Sequence, residues 1–387
     1  MDKKLIRITT VPMALRYLLP GQMKFMQANG FDVLMISADG KELAEVIAHE
    51  DCRHIIVPLT RKITPLQDLK CLFKLIGIFK KEKPDIVHTH TPKAGLLGMI
   101  AAKICGVKIR IHTVAGLPLM VEKGFKFRLL KRIEKITSWS ATHVWPNSAS
   151  LLDIIKENNL AHPKKLHVIA KGSSNGIDTQ RFKRDQLNAG QIDVIKKSID
   201  FSSDKIYLLC IGRMVADKGI PELVSVFSTL LQSQDKLQLV LVGQYEQELD
   251  PLPAETLQQI ESNPSIFHIN WTDKVEYYMG VANYFVFPSH REGFPNVLLQ
   301  AGAMHLPIIC SRIEGNIDLI DNGETGLLFE KGNQEQLKSS IEFAINNNAA
   351  MHQMSEKLYD IIQIDFRREN IWQNILKEYQ TLLNLNT

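Results

Sequence analysis

The chain alternates short β-branched runs with longer amphipathic stretches, and it does so in two successive series. The first series has runs at Leu5–Thr9, Val33–Ser37, His54–Val57, Asp85–His88, Ile109–Val114, His143–Pro146 and Leu166–Ile169. Leu66–Lys81 and Ala94–Cys105 are among the helical stretches between them. The second series starts near Lys205, with Tyr207–Ile211, Leu237–Val242, Ile266–Ile269, Tyr284–Phe287, Pro307–Cys310 and Gly326–Phe329. Strands that alternate with helices form βαβ units and lie parallel, with the functional loops at their C-terminal ends. Single cores stop growing at about 250–300 residues, so this 387-residue chain reads as an α/β protein of two doubly wound, Rossmann-like domains. The expected domains are 1–180 and 181–365, joined near Ser173–Asp185, where Gly and Asn cluster and the charge balance changes. In the last segment, 366–387, Ile371, Ile375, Tyr379 and Leu382 recur at helical spacing. That helix can pack back on the first domain.

Charge separates the two halves. Residues 1–185 carry 31 Lys and Arg against 16 Asp and Glu, whereas residues 186–387 carry 15 against 26. Only the first half therefore suits an anionic partner. No apolar run reaches the roughly 18–20 residues that span a bilayer. Arg7 interrupts the short apolar run Leu5–Ile8, so the N-terminus reads as a first strand and not as a secretory signal. The five cysteines (Cys52, Cys71, Cys105, Cys210 and Cys310) are scattered. Scattered thiols of this kind fit reduced residues in a cytoplasmic protein, with no disulfide framework and no metal site.

Two segments carry chemistry. In Phe285-Val-Phe-Pro-Ser-His-Arg-Glu-Gly-Phe-Pro-Asn-Val-Leu-Leu-Gln300 a strand ends at Pro288, and Pro295 or Asn296 opens a helix. Open amides at that helix start, beside Gly293, make a site for a diphosphate or sugar hydroxyls, and Glu292 projects a carboxylate into the same cleft. The plainer reading is an ordinary strand–turn–helix with Glu292 as a surface cap. In Cys210-Ile-Gly-Arg-Met-Val-Ala-Asp-Lys-Gly219 a strand runs through Gly212 into a loop that carries Arg213 and Lys218. Two fixed cations there can neutralise charge on a leaving diphosphate. The plainer reading is a βα loop with solvated charges.

With Val242-Gly243, Gly323-Glu-Thr-Gly-Leu-Leu328, Pro84-Asp-Ile-Val-His-Thr-His90 and Asn175-Gly-Ile-Asp178, these segments resemble the retaining glycosyltransferases of family 4. The likeness spans essentially the whole chain and is densest between 205 and 330. It implies the GT-B fold and a nucleotide-sugar co-substrate, with no bound metal or other cofactor. By this resemblance Arg213 and Lys218 match the pair that binds the donor diphosphate. Glu292 matches the first acid of the family's Glu–(seven residues)–Glu motif. Gly293, Phe294, Pro295, Asn296 and Val297 match the loop and helix start against sugar and phosphate. Gly212, Gly243 and Val275 match positions around the nucleotide, and Gly21 matches the first, glycine-containing loop. The second acid is replaced by Gln300, a neutral group that still accepts and donates hydrogen bonds to a ribose. The histidine common after the fifth strand is replaced by Ala115.

The resemblance places the acceptor against the first domain, where His90 and Lys93 are the candidate contacts. His88 and His90 straddle Thr89 and share one face of a strand, and His112 lies within the next. The basic stretch Lys123–Ile136 aligns Phe125, Leu129, Ile133 and Ile136, a pattern that suits either an anionic membrane interface or a helix covering the sheet. A polyprenyl-diphosphate-linked glycan at the inner face of the cytoplasmic membrane fits this half, with a UDP-sugar as donor and no nucleic acid. The expected activity is sugar transfer, with an N-acetylhexosamine as a candidate sugar, in bacterial capsule or O-antigen synthesis. Two rival readings are a UDP-sugar 2-epimerase on the same fold and a non-catalytic sugar-nucleotide-binding subunit.

Overall fold

A computed structural model describes residues 3–246, 248 and 250–385. Residues 386 and 387 of the expected terminal segment lie outside the described residues. The chain divides into two compact units, one running to Gly176 and resuming at Arg368, the other spanning Ile177–Arg367.

In the first unit six strands form one parallel sheet: β1 (Lys3–Ile8), β2 (Phe31–Ser37), β3 (Arg53–Ile56), β4 (Ile86–His90), β5 (Ile109–Val114) and β6 (His143–Pro146). Their order is β3-β2-β1-β4-β5-β6, the doubly wound arrangement. The second unit repeats it with β7 (Ile206–Ile211), β8 (Leu237–Val242), β9 (Ile266–Ile269), β10 (Tyr284–Phe287), β11 (Ile308–Arg312) and β12 (Leu327–Glu330), ordered β12-β11-β10-β7-β8-β9. Each sheet is buried on both faces. Alternate residues of β1, such as Ile6 and Ile8, join one core cluster while Leu5 joins another.

On the first sheet, helices Pro65–Glu82, Pro92–Ile104 and Gly124–Ser140 cover the Ile6 and Ile8 face. The opposite face meets the terminal helix Arg368–Asn384, whose Ile371, Ile375, Leu376, Tyr379 and Leu382 pack with Leu5, Val33, Ile109 and Trp145. The helical spacing of the last segment therefore does serve the first unit's core.

Two expectations change. Leu166–Ile169 is not a strand: it makes only an isolated bridge from Leu166 to Val144, and Ala170 turns away with φ +49°. Strand β4 runs on to His90, past the expected end at His88. The basic helix is also two-sided. Phe127 and Leu130 pack on the core cluster, whereas Phe125 is 80% and Ile136 45% exposed. The aligned Phe125–Ile136 stripe is thus not the face that covers the sheet.

Glu134 lies on the sheet side of that helix, buried without a counter-ion among the described residues, and burial pushes its carboxyl up to about 7. A raised carboxyl is stabilising while protonated. Its contribution is complete below the unfolded value near 4.5 and is lost as pH rises through about 7. Glu134→Gln should therefore stabilise the protein at pH 8 by up to about 3 kcal/mol and have little effect at pH 4, read from denaturant unfolding at the two pH values.

Candidate functional site

The loops that leave β7, β8, β10 and β11 gather at one edge of the second sheet. Gly243 ends β8 with φ +152°, and a Cβ there would lie 1.7 Å from the Gly212 carbonyl oxygen. Two strand ends therefore touch backbone to backbone, which a side chain at 243 would prevent. Just beyond Gly212, Arg213 reaches across to the loop after β8, where its Nη1 donates to Glu246 Oε2 at 2.7 Å. The neighbouring histidine His268 contacts the Gly243 carbonyl through Nε2 at 2.8 Å.

Lys218 closes a short 3-10 turn, Ala216–Lys218, ahead of helix Ile220–Leu231. Its ammonium pairs with Glu292 Oε1 and lies 3.3 Å from Ser289 Oγ, which itself donates to Glu292 Oε1 at 2.9 Å. The Lys218 and Glu292 side chains are only 14% and 16% exposed, so water screens this pair less than an ordinary surface bridge. The same two loops are tied again by Arg291 to Asp217 at 2.9 Å and by the His290 amide to the Asp217 carbonyl at 2.9 Å. The strand ends thus bring together residues 218 and 292, far apart in sequence.

Helix Asn296–Ala303 starts at the end of this loop with no side chain capping it. Its first amides are therefore available to an anion. Gly293, Phe294 and Pro295 are buried behind it, with Phe294 against Phe366 at 5.3 Å between ring centroids. Asn296 and Val297 form the half-buried first turn. Gln300 follows one turn later, half-buried, and its side chain makes no hydrogen bond among the described residues. Val275 opens helix Val275–Val281 after β9 and packs on the same core cluster as Val297.

The first unit treats its candidates differently. The amide of Gly21, at φ +81°, donates to Glu50 Oε1 at 2.5 Å, and the Met23 and Lys24 amides donate to Glu50 Oε2 at 3.0 and 3.1 Å. This buried carboxylate fills the anion position at the start of helix Gln22–Ala28. A Cβ at Gly21 would also sit 2.7 Å from the Trp372 ring, so packing of the terminal helix accounts for the glycine. Lys93 is similarly engaged: its ammonium lies 2.7 Å from Asp68 Oδ1 and within reach of the Thr60 and Thr64 hydroxyls, tying down the loop before helix Pro65–Glu82.

The three histidines have separate surroundings. His112 bonds the Thr89 hydroxyl at 2.9 Å and lies against Gly95, and burial lowers it to about 4. It is a core residue. His88 bonds Thr113 Oγ1 at 2.7 Å through Nε2. His90, at the end of β4, is fully buried and neither ring nitrogen has a hydrogen-bond partner among the described residues. Burial, then the nearby Arg7 guanidinium, hold it neutral.

Sequence reasoning missed Glu246 and Glu50, which act on partners 33 and 29 residues away and sit outside any recognisable local motif. Ser289 lies within the Phe285–Gln300 segment, but its contact with Lys218 crosses to another loop.

Twin doubly wound parallel sheets of this kind make the GT-B arrangement. The description "Glycosyl transferases group 1" matches residues 191–360 and "Glycosyl transferase 4-like" matches residues 10–148. The chain is 36% identical to the capsular polysaccharide biosynthesis glycosyltransferase CapM of Staphylococcus aureus, covering 99% of this chain and 98% of that one. It is 28% identical to the Escherichia coli UDP-Gal:alpha-D-GlcNAc-diphosphoundecaprenol alpha-1,3-galactosyltransferase, over 78% of this chain and 76% of the other. Anabaena HepE in complex with UDP and glucose shares the fold, with a TM-score of 0.82 at 17% identity over 98% and 100% of the two chains. The chain belongs to the glycosyltransferase 4-like family and is a glycosyltransferase.

Gly243→Ala should destabilise the second unit by roughly 2–5 kcal/mol, from backbone strain and overlap with Gly212. Gly212→Ala, where a Cβ meets nothing within 4 Å, should stay within about 1 kcal/mol. Paired urea melts decide between these outcomes.

Proposed function

We propose that this glycosyltransferase moves a sugar from a UDP-sugar, with retention of configuration, onto a polyprenyl-diphosphate-linked or related glycan in bacterial surface polysaccharide synthesis. The observation that carries this reading is the Lys218–Glu292–Ser289 cluster beside the uncapped start of helix Asn296–Ala303. The activities named for the Staphylococcus and Escherichia relatives support the capsule setting, a UDP-linked donor and a lipid-linked acceptor.

On this reading Arg213 and Lys218 exchange Glu246 and Glu292 for oxygens of the donor diphosphate. Glu292 is then free to hold a sugar hydroxyl. The helix amides at Asn296 and Val297 take a phosphate oxygen, and Gln300 takes the ribose. The acceptor hydroxyl forms its bond to the anomeric carbon as the bond to the diphosphate breaks, and the leaving phosphate oxygen accepts the hydroxyl proton. The two cations stabilise the charge that develops on that oxygen, the kind of term that dominates many enzymatic rate enhancements. His90, at the end of β4, is the acceptor-side candidate. Lys93 supports the neighbouring loop.

A membrane-facing surface belongs to the same proposal. The outer side of the first unit's helical layer exposes Leu66 (81%), Phe73 (64%), Phe125 (80%) and Trp139 (65%). Lysines and arginines such as Lys70, Lys74, Arg128 and Arg132 share those helices. Exposed aromatics and leucines amid basic residues suit the interface of an anionic bilayer, and none of the described helices is long and apolar enough to cross one.

The test is nucleotide release from a panel of UDP-, GDP- and ADP-sugars, with and without short polyprenyl-diphosphate sugars. Release with one UDP-sugar that rises with the lipid-linked acceptor is the expected result. Arg213→Ala should lower turnover by about 10²–10³-fold while leaving the melting temperature nearly unchanged. Donor binding without turnover under every acceptor would identify a non-catalytic subunit instead, and conversion of the donor to its epimer would identify a 2-epimerase. Replacing Phe125 and Trp139 with glutamate should weaken cosedimentation with phosphatidylglycerol vesicles and leave turnover on a soluble acceptor analogue intact. Unchanged cosedimentation would remove the membrane surface from the reading.

A further inference from the structure

Arg7 is a buried charge with no carboxylate in contact with it among the described residues. It lies mid-strand in β1, beside His88 of β4 in the parallel register, and is 2% exposed beneath helix Arg368–Asn384. Its Nη1 donates to Tyr379 Oη at 2.8 Å and also contacts His88 Nδ1. Nε has no hydrogen-bond partner among the described residues.

Neither neighbour can balance the charge. A guanidinium cannot give up its proton in a protein. Burial, reinforced by Arg7, keeps His88 neutral. Burial also raises the Tyr379 phenol, so its oxygen stays protonated. An ion that leaves water without a counter-charge costs several kcal/mol even after the protein relaxes.

A cavity of 10 Å³ adjoins the guanidinium, lined by Arg7, His88, Thr113, Asn147, Ser173 and Ser174. This is about the least space that holds one water-sized sphere. The buried Ser174 hydroxyl and the Asn147 amide oxygen also lack partners, although both residues line the cavity. A water could bond these groups but would leave the charge uncompensated. A monatomic anion is the smallest group that both carries the missing charge and accepts hydrogen bonds from Arg7, Ser174 and, with its amide turned, Asn147.

We infer that the first unit binds a monatomic halide-class anion, chloride foremost, between Arg7, Asn147 and Ser174, where it secures the terminal helix to the sheet through Arg7 and Tyr379. Nothing in this inference depends on the sugar donor or acceptor.

The experiment compares thermal melting of the full chain in sodium chloride and in sodium gluconate at equal ionic strength. Chloride should raise the melting temperature by about 2–4 °C in a saturable way, as for a ligand that binds only the folded state. Arg7→Met should abolish the difference, whereas a general salt effect on the surface would persist in it. Arg7→Met also removes the Tyr379 hydrogen bond and can fail to fold, so crystals soaked in bromide give a second readout. An anomalous peak against the Arg7 guanidinium supports the site. Equal melting in the two salts, or a water with no anomalous signal in that position, overturns it.

Discussion

Burial of a parallel sheet on both faces is the constraint on which the rest of this molecule depends. A parallel sheet has no face to offer to water, so each strand needs apolar cover above and below. In the first unit, three helices from the neighbouring sequence cover the face that contains Ile6 and Ile8. The other face is completed by Ile371, Ile375, Tyr379 and Leu382, which arrive from the far end of the chain. Asn175 strengthens that closure by accepting from the Trp372 indole at 2.6 Å and from Gln22 at 3.0 Å. Both sheet faces are thus occupied, and the strands' C-terminal loops are left as the place for chemistry.

At the second sheet those loops are held by two different means. Backbone contact between Gly243 and Gly212 sets the spacing of the β7 and β8 ends. Charge pairing sets the rest, with Arg213 on Glu246, Lys218 on Glu292 and Arg291 on Asp217. Such pairs orient long side chains that would otherwise sample many rotamers. They also give the two cations of the proposed diphosphate site an internal partner to exchange. The first unit solves a similar problem with Glu50, a fixed carboxylate that fills the amide site at a helix start, so Gly21 has no free amide to offer.

The strand runs were legible because a fully buried parallel strand is a short, continuous apolar segment bounded by turn residues. Ile109–Val114, Leu237–Val242 and Tyr284–Phe287 coincide with the observed strands. Leu166–Ile169 had the same composition but no extended partner beyond one bridge to Val144, which no local pattern reveals. The helix at Gly124–Ser140 was foreseen, but the face it turns inward was not. Phe127 and Leu130 face the core while the aligned Phe125 and Ile136 do not, because the sheet and not the helix's own periodicity selects the buried side. Arg213, Lys218 and Glu292 were found from motifs. The partner Glu246 was not, nor was the contact of Ser289 with Lys218, since those pairings join separate loops.

By itself the sequence determined the βαβ alternation, the doubling of the fold and the position of the glycine- and charge-bearing loops after strands. These follow from local apolar period and turn chemistry, which act within a few residues. Only the tertiary structure decided that Lys218 meets Glu292, that Lys93 belongs to Asp68, and that Arg7 lies buried with Tyr379 and no carboxylate. The physical reason is that a charge takes its partner and its dielectric from whatever the sheet brings alongside it, and the sheet's strand order is not written in any single segment.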